Sequence, residues 1–347
     1  MHCRGTDGCS HPTVNSDPIG MLHITNGDTA VATLRRAGIP GDMLPWNDVL
    51  HEGPVPAGLD LEALSARRSR FISEQGWGPP DEVARSFAER DAMLADSDGR
   101  DEVVLWFEHD LFDQLQLIQL LDWFAQRPSR RARLSMVSTS TYLGKLAPDR
   151  ADELFASRQT VTQGQLALGQ SAWAAYRSPD PLAIQQLMQL DTSSLPWLHG
   201  ALERHLEEFP SVGHGLSRSE RQAVETVAAG PRSLRDAFVS SHHEREERIF
   251  LGDWVFAQYL ERLSGSRAPL LRREDGGAIA AREAPQQGDQ FWEGRIAITD
   301  AGRDVLAGRR DWIAMNGIDR WLGGVHLDGD RAQWRWDAGR HSLVAGH

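Results

Sequence analysis

Five successive apolar residues, Val103-Val104-Leu105-Trp106-Phe107, restrict the folds open to this chain more than any other stretch. A strand with one wet face alternates apolar and polar side chains; an unbroken apolar run is buried on both faces. Such a strand sits inside a sheet covered by helices on each side, and sheets of that kind are mostly parallel. Two more runs suit the same sheet, Met21 to Thr25 and Arg133 to Val137. Asp42 to Trp46 reads as a short further strand, with Pro45 marking an edge or a strand end. Helical patterning over 29–37, 59–75, 81–95 and 111–124 separates these runs. The last of those helices is apolar nearly all round, with Gln114, Gln116 and Gln119 interspersed, and should be covered on two sides.

Strands alternating with helices predict a doubly wound α/β layer, in which ligands bind beyond the carboxyl ends of the strands. Polar clusters stand at such ends. Asn26-Gly27-Asp28 follows the first strand, and Glu108-His109-Asp110 with Asp113 follows the central one. Asp48, His51 and Glu52, closed by Gly53-Pro54, follow the short strand. Each has a purely structural explanation. Asp110 is an ordinary helix N-cap and Asp113 adds favourable charge in the first turn. Asn26 and Asp28 suit a turn and a cap, with Gly27 supplying a positive φ. His23, inside a strand, reads more readily as a hydrogen-bonded core histidine than as a ligand.

The combination points further. His23, His51 and His109 are the only histidines between residues 12 and 198, and each lies near a carboxylate. Imidazole beside carboxylate serves both proton transfer and metal binding. We therefore take His109, His51, Asp48 and Asp110 as candidate catalytic residues. Asn26, Gly27, Asp28, Glu52 and Asp113 are candidate ligand contacts. His23, Asp28, His51 and His109 are the candidates for a divalent metal. The loop over 138–147, with Lys145, is a weaker candidate for an anion contact. No Walker loop, dinucleotide glycine motif, nucleophile elbow or zincin motif accompanies these strands.

The net charge of −12, with a pI near 5.5, argues against a protein held mainly by phosphate contacts to nucleic acid, though a local basic patch is compatible with it. No apolar run approaches the roughly 20 residues needed to span a bilayer. The two cysteines, Cys3 and Cys9, support no disulfide framework, so a cytoplasmic protein is expected. Residues 1–20 read as a disordered leader, or as sequence upstream of a start at Met21. A zinc set of His2, Cys3, Cys9 and His11 is the sharper alternative, but its spacing matches no common zinc motif.

The motifs His23-Ile24-Thr25-Asn26-Gly27-Asp28, Leu44-Pro45-Trp46-Asn47-Asp48-Val49-Leu50-His51-Glu52-Gly53-Pro54 and Trp106-Phe107-Glu108-His109-Asp110-Leu111-Phe112-Asp113 resemble the bacterial family called domain of unknown function 1835. Leu195-Pro196-Trp197, His205, Phe209-Pro210, Trp321 to Leu327 and Trp334 to Asp337 extend the resemblance over nearly everything after Met21. It implies a shared domain layout and carries no biochemical role.

The expected architecture is an α/β chain in three parts. A parallel-sheet, three-layer domain spans 21–147, a helical segment 148–212, and a winged-helix-like α+β domain with a terminal hairpin 213–347. Residues 210–215, dense in Gly and Pro, read as the linker before the last part. That part should hold helices over 217–229, 232–240 and 247–264, a strand over 295–299, and a hairpin pairing 321–327 with 332–337. Its third helix carries Leu251, Trp254, Val255, Phe256 and Leu260, which suits packing or dimerisation better than a DNA groove. Trp321, Trp334 and Trp336 are expected in the core.

Two functions fit. One is an enzyme, a hydrolase or transferase, acting on a small polar or phosphorylated substrate through the His/carboxylate clusters. The other is a non-catalytic regulator, in which an α/β ligand sensor is joined to a winged-helix-like interaction module. Oligomeric state is not legible from the sequence.

Overall fold

The computed structural model describes residues 20–346. The expected leader, apart from Gly20, and its candidate zinc set lie outside the described residues.

The first half of the chain runs β1 (Met21–Thr25), α1 (Asp28–Arg36), β2 (Asp42–Pro45), β3 (Gly53–Pro54), α2 (Leu61–Glu74), α3 (Pro80–Ala95), β4 (Glu102–Phe107), α4 (Leu111–Ala125), β5 (Arg133–Ser138). A helical stretch follows: α5 (Pro148–Ala156), β6 (Gln159–Thr160), α6 (Gln163–Tyr176), α7 (Leu182–Met188) and α8 (Leu198–Leu206). Five strands form one sheet in the order β2-β1-β4-β5-β6, parallel except for β6. The strand β6 interrupts a stretch that patterning reads as helical throughout. Arg158 just before it reaches Glu102 on β4, with Nε donating to Oε1 at 2.9 Å, and this seats the short strand against β5.

All six residues of β4 are buried, as an unalternated run requires. Val103, Leu105 and Phe107 join Leu22, Ile24 and Leu44 in the core beneath α4. Val104 and Trp106 face the opposite side, with Val31 and Leu34 of α1. The helix α4 is covered as expected, with α6 lying across it. A Cβ on Gly169 of α6 would stand only 2.4 Å from Leu121 Cβ, so the close crossing needs a residue without a side chain. The glutamines of α4 bond inside the core: Trp46 Nε1 donates to Gln119 Oε1 at 2.8 Å, and Gln116 donates to the Asp48 carbonyl at 3.0 Å, although Gln116 Oε1 has no partner.

The last part comprises α9 (Arg218–Ala228), β7 (Arg232–Ser233), α10 (Leu234–Phe238), α11 (Asp253–Gly265), β8 (Leu271–Arg273), α12 (Ala284–Gln287), α13 (Asp289–Glu293), β9 (Arg295–Ile298), α14 (Asp300–Leu306), α15 (Trp312–Asn316) and β10 (Ile318–Gly323) to β13 (Ser342–Ala345). Strands β7, β9 and β8 make a small antiparallel sheet. The chain is thus mixed α/β with a parallel core and antiparallel sheets toward its end.

Three expectations need correction. The helix expected over 247–264 begins only at Asp253, and 247–252 is irregular chain. The supposed linker at 210–215 is stitched to β12 (Trp334–Asp337): Trp336 N donates to the Pro210 carbonyl at 2.8 Å, and Val212 N to the Trp336 carbonyl at 3.0 Å. The single hairpin is really two. The strand β10 turns back through Gly323-Gly324 to pair with β11 (Val325–Gly329), while β12 pairs with β13. The reason is local. Gly323 has φ 61°, the left-handed region that a two-residue hairpin turn requires, and this turn falls inside the stretch read as one strand. Trp336 is buried, whereas Trp321 and Trp334 are half-buried.

Among the described residues, no helix is long and apolar enough to cross a membrane.

Candidate functional site

The strand order sets the location. From β1 the chain steps outward to β2, and from β4 it steps the opposite way to β5, so the sheet has its switch point between β1 and β4. A crevice opens there beyond the carboxyl ends. Asn26 lies one residue past β1 and Glu108 one residue past β4. The Asn26 amide nitrogen donates to Glu108 Oε1 at 3.1 Å and to Asp113 Oδ2 at 2.9 Å, tying the two strand ends together. Glu108 N donates to Asp113 Oδ1 at 2.6 Å, and Leu143 N to Glu108 Oε1 at 2.7 Å. Asp110 caps α4, accepting from Asp113 N at 3.2 Å.

Glu108, Asp110 and Asp113 are all buried, and each offers an oxygen within 4.8 Å of the others. None is ion-paired among the described residues. Burial disfavours their charged forms and raises all three above the ordinary carboxylate range, and for Asp110 and Asp113 the neighbouring acids add to the effect. Asp110 is pushed up to about 7, by burial first and then by Glu108.

The crevice widens into a cavity of about 780 Å³. The α/β domain contributes these three acids together with Asn26, Asn47, Asp48, His51, Phe112 and Lys145. The far wall is residues 249–255, the irregular stretch before α11 and its first turn. Tyr142 pins that wall in place. Its hydroxyl accepts from Ile249 N at 2.6 Å and donates to the Ile249 carbonyl at 3.2 Å. The sequence does not single out Tyr142, Asn47 or the 249–255 segment; Tyr142 and Ile249 meet across 107 positions, where no local motif marks a contact.

The loop after β2 is held by Arg68, fully buried on α2. Its Nε donates to Asp48 Oδ1 at 3.0 Å, and its terminal nitrogens donate to the Glu52 and Val49 carbonyls, both at 2.7 Å. Asp48 Oδ2 has no partner. His51, 2% exposed, is wedged edge-on between Phe112 and Phe250 with both ring nitrogens unpartnered. Burial holds its imidazole down to about 4, so it is neutral at physiological pH.

The three histidines do not converge. His23 is a core residue: its Nε2 bonds the Pro40 carbonyl at 2.9 Å and its Nδ1 accepts from Trp106 Nε1 at 3.0 Å. Both nitrogens are used, which removes it from the metal candidates. His109 packs against Tyr142 and Trp197 and is not among the residues lining the cavity. Asp28 is exposed outside the cavity and accepts from Asn47 Nδ2 at 2.7 Å. Gly27 has φ 168°, extended backbone and not the positive φ expected of it; a Cβ there would lie 3.0 Å from Asn47 Oδ1.

Glu52 faces away from the cavity. With Glu208 it surrounds Arg320, whose guanidinium donates to Glu52 Oε1 at 2.6 Å and to Glu208 Oε2 at 2.9 Å, and the Tyr259 hydroxyl bonds both acids. Burial, the largest single influence, pushes Glu52 up, but Arg320, Arg262, His51 and the Tyr259 hydroxyl together outweigh it and hold the carboxyl below its ordinary range. Nearby, His205 is fully buried against Tyr176, with neither ring nitrogen partnered, and burial depresses it to about 3. A histidine depressed in this way refuses a proton that the unfolded chain accepts. The stability tied to its neutral form is present above about pH 6.5 and is lost as pH falls toward 3. His205→Leu should therefore gain about 2 kcal/mol on the wild type between pH 7.5 and pH 5, from 1.36 kcal/mol per unit. Urea denaturation at both pH values measures it, and an unchanged difference would contradict a buried neutral imidazole.

No protein-family model matches the chain, and no curated protein matches it. Among solved structures it is similar to the crystal structure of the Plasmodium falciparum topoisomerase II DNA-binding, cleavage and re-ligation domain, with a TM-score of 0.45 and 10% identity. That match covers 84% of this chain and 48% of the other, so the chain spans about half its length. A likeness of this degree says nothing about what the cavity binds.

Proposed function

We propose that the chain is an enzyme, a hydrolase or transferase, acting on a small polar or phosphorylated substrate at the carboxyl ends of β1 and β4. One observation carries the reading: the Asn26 amide, shared between Glu108 and Asp113, fixes acidic groups from the switch point at the edge of a cavity of about 780 Å³. Acids held by their own hydrogen bonds need no rearrangement when a ligand arrives. Lys145, exposed on the same wall, offers a positive charge to an anionic group. Ile72, Trp77, Phe112 and Phe250 supply the apolar contact that small-molecule sites use for the remainder of a ligand. The stretches that resemble the domain of unknown function 1835 family include Asn26, Glu108, Asp110 and Asp113 of this site.

The test is a panel of phosphomonoesters, phosphodiesters and nucleoside phosphates, assayed for binding and turnover. Saturable binding and turnover of one class are expected, with both lost in Asn26→Ala while its far-ultraviolet circular dichroism is unchanged. A blank panel, or full activity in Asn26→Ala, would sink the reading.

A ligand-sensing role has one observation in its favour. The wall at 249–255 leads directly into α11, so an occupied cavity would bear on the last part of the chain. The helices α9 to α11 with the β7-β9-β8 sheet suit a winged-helix-like module. The arginines a DNA-binding face would need are engaged elsewhere: Arg245 pairs with Glu225, Arg295 with Glu274 and Arg309 with Asp304, while Arg248 lies over Trp197. Ligand-dependent hydrogen-exchange protection at 249–255 without turnover would favour the sensor.

A further inference from the structure

We infer that Glu108, Asp110 and Asp113 together bind one hard divalent cation, Mg²⁺ or Mn²⁺, and that this ion receives the anionic end of the ligand. The inference rests on the catalytic reading above and deepens it.

The geometry is suitable. Three carboxylate oxygens from one strand end and one helix start lie within 4.8 Å of one another. An ion about 2.1 Å from each ligand in octahedral geometry holds adjacent oxygens roughly 3 Å apart and opposite ones roughly 4 Å apart, so side-chain rotations that draw the oxygens in by about an ångström or two close the set. The donors are all oxygen, which selects Mg²⁺ or Mn²⁺ over zinc. The imidazoles do not enter, because His23 is saturated and His109 lies off the cavity wall. Asn26 plays the orienting part, its amide bonded to two of the three carboxylates. An acidic cavity repels an anionic substrate; a bound cation reverses that and leaves Lys145 to act on the same side.

An independent feature of the same cavity points to a bound ligand. His51 and Asp48 line it, 2% and 0% exposed, and neither His51 nitrogen nor Asp48 Oδ2 has a hydrogen-bond partner. His51 touches Phe112, which lies in the sequence between Asp110 and Asp113. Buried polar atoms are almost always satisfied, so two such side chains on one wall mark where a polar ligand or its waters bond. A neutral imidazole both donates and accepts, which suits a substrate hydroxyl or a metal-bound water.

The test uses the metal alone, without substrate. Mn²⁺ is titrated into the full chain and free ion is followed by electron paramagnetic resonance. Tb³⁺ luminescence sensitised by Trp77 and Trp254 on the cavity wall provides a second readout. One ion per chain is expected, displaced by Mg²⁺, with at least tenfold weaker binding in Asp110→Asn and in Glu108→Gln. Those two partly independent variants guard against one failing to fold. No saturable binding up to millimolar Mn²⁺, or wild-type binding in both carboxylate variants, would overturn the site. If Mn²⁺ fails to bind while the phosphate panel still binds and depends on Asn26, the cation is wrong and the catalytic reading stands. If Mn²⁺ binds as expected and the panel is blank, the reverse holds.

Discussion

Arg320→Ala is expected to destabilise the chain by about 3–5 kcal/mol, the cost of leaving the buried Glu52 carboxylate without its partner. Arg320 is 8% exposed, and its guanidinium serves Glu52, Glu208, the Glu208 carbonyl and the Tyr259 hydroxyl. Removing it leaves Glu52 without an ion-pair partner among the described residues, while Glu208 keeps Arg204 at 2.7 Å. The loss should appear as a lower denaturant midpoint, with the slope changed little. Neutralising the acids as well separates charge from packing. The triple variant Arg320→Met, Glu52→Gln, Glu208→Gln should recover more than half of the deficit. If Arg320→Ala costs less than about 1 kcal/mol, the network is solvated and its role is overstated. Glu52 belongs to the loop carrying Asp48 and His51, so weaker ligand binding should accompany the lost stability.

Arg68→Met should cost a similar amount, again about 3–5 kcal/mol, for a different reason. Arg68 is the only cation paired with Asp48 among the described residues, and it also bonds two loop carbonyls. Methionine keeps most of the volume, so the loss reads out the unpaired carboxylate and unbonded carbonyls and not a cavity. Arg68→Lys should rescue little, because an ammonium cannot reach a carboxylate and two carbonyls in a planar fork. Adding Asp48→Asn to Arg68→Met should return part of the stability. Full stability in Arg68→Met would show that the loop is held by backbone contacts alone.

The parallel core was readable because burial on both faces leaves an unambiguous pattern. Val103 to Phe107 lies in the middle of the sheet, and the strand-end argument brought Asn26, Asp110 and Asp113 to one place. The error lay in grouping by histidine. An imidazole in a strand next to a tryptophan can satisfy itself, and His23 does so through Trp106 and Pro40. The acids that meet do so through the Asn26 amide, a residue the sequence offers as a ligand contact without indicating that it joins Glu108 to Asp113. Glu52 looked like part of the site because it follows His51, yet successive residues in a loop can face opposite ways. Its partner Arg320 is 268 positions away, a separation at which no periodicity or spacing gives notice. The Gly323-Gly324 turn was misread because the apolar residues on its two sides read as one strand.

The parallel contact of β3 with β10, Leu322 opposite Gly53 and Gly323 opposite Pro54, has a consequence for biosynthesis. The sheet that bears the acids needs nothing beyond Thr160. The strand that buttresses the His51 loop begins only at Ile318 and leaves the ribosome long afterwards. A nascent chain stalled before Ile318 would own the scaffold and lack that support, so a settled pocket waits on the synthesis of β10.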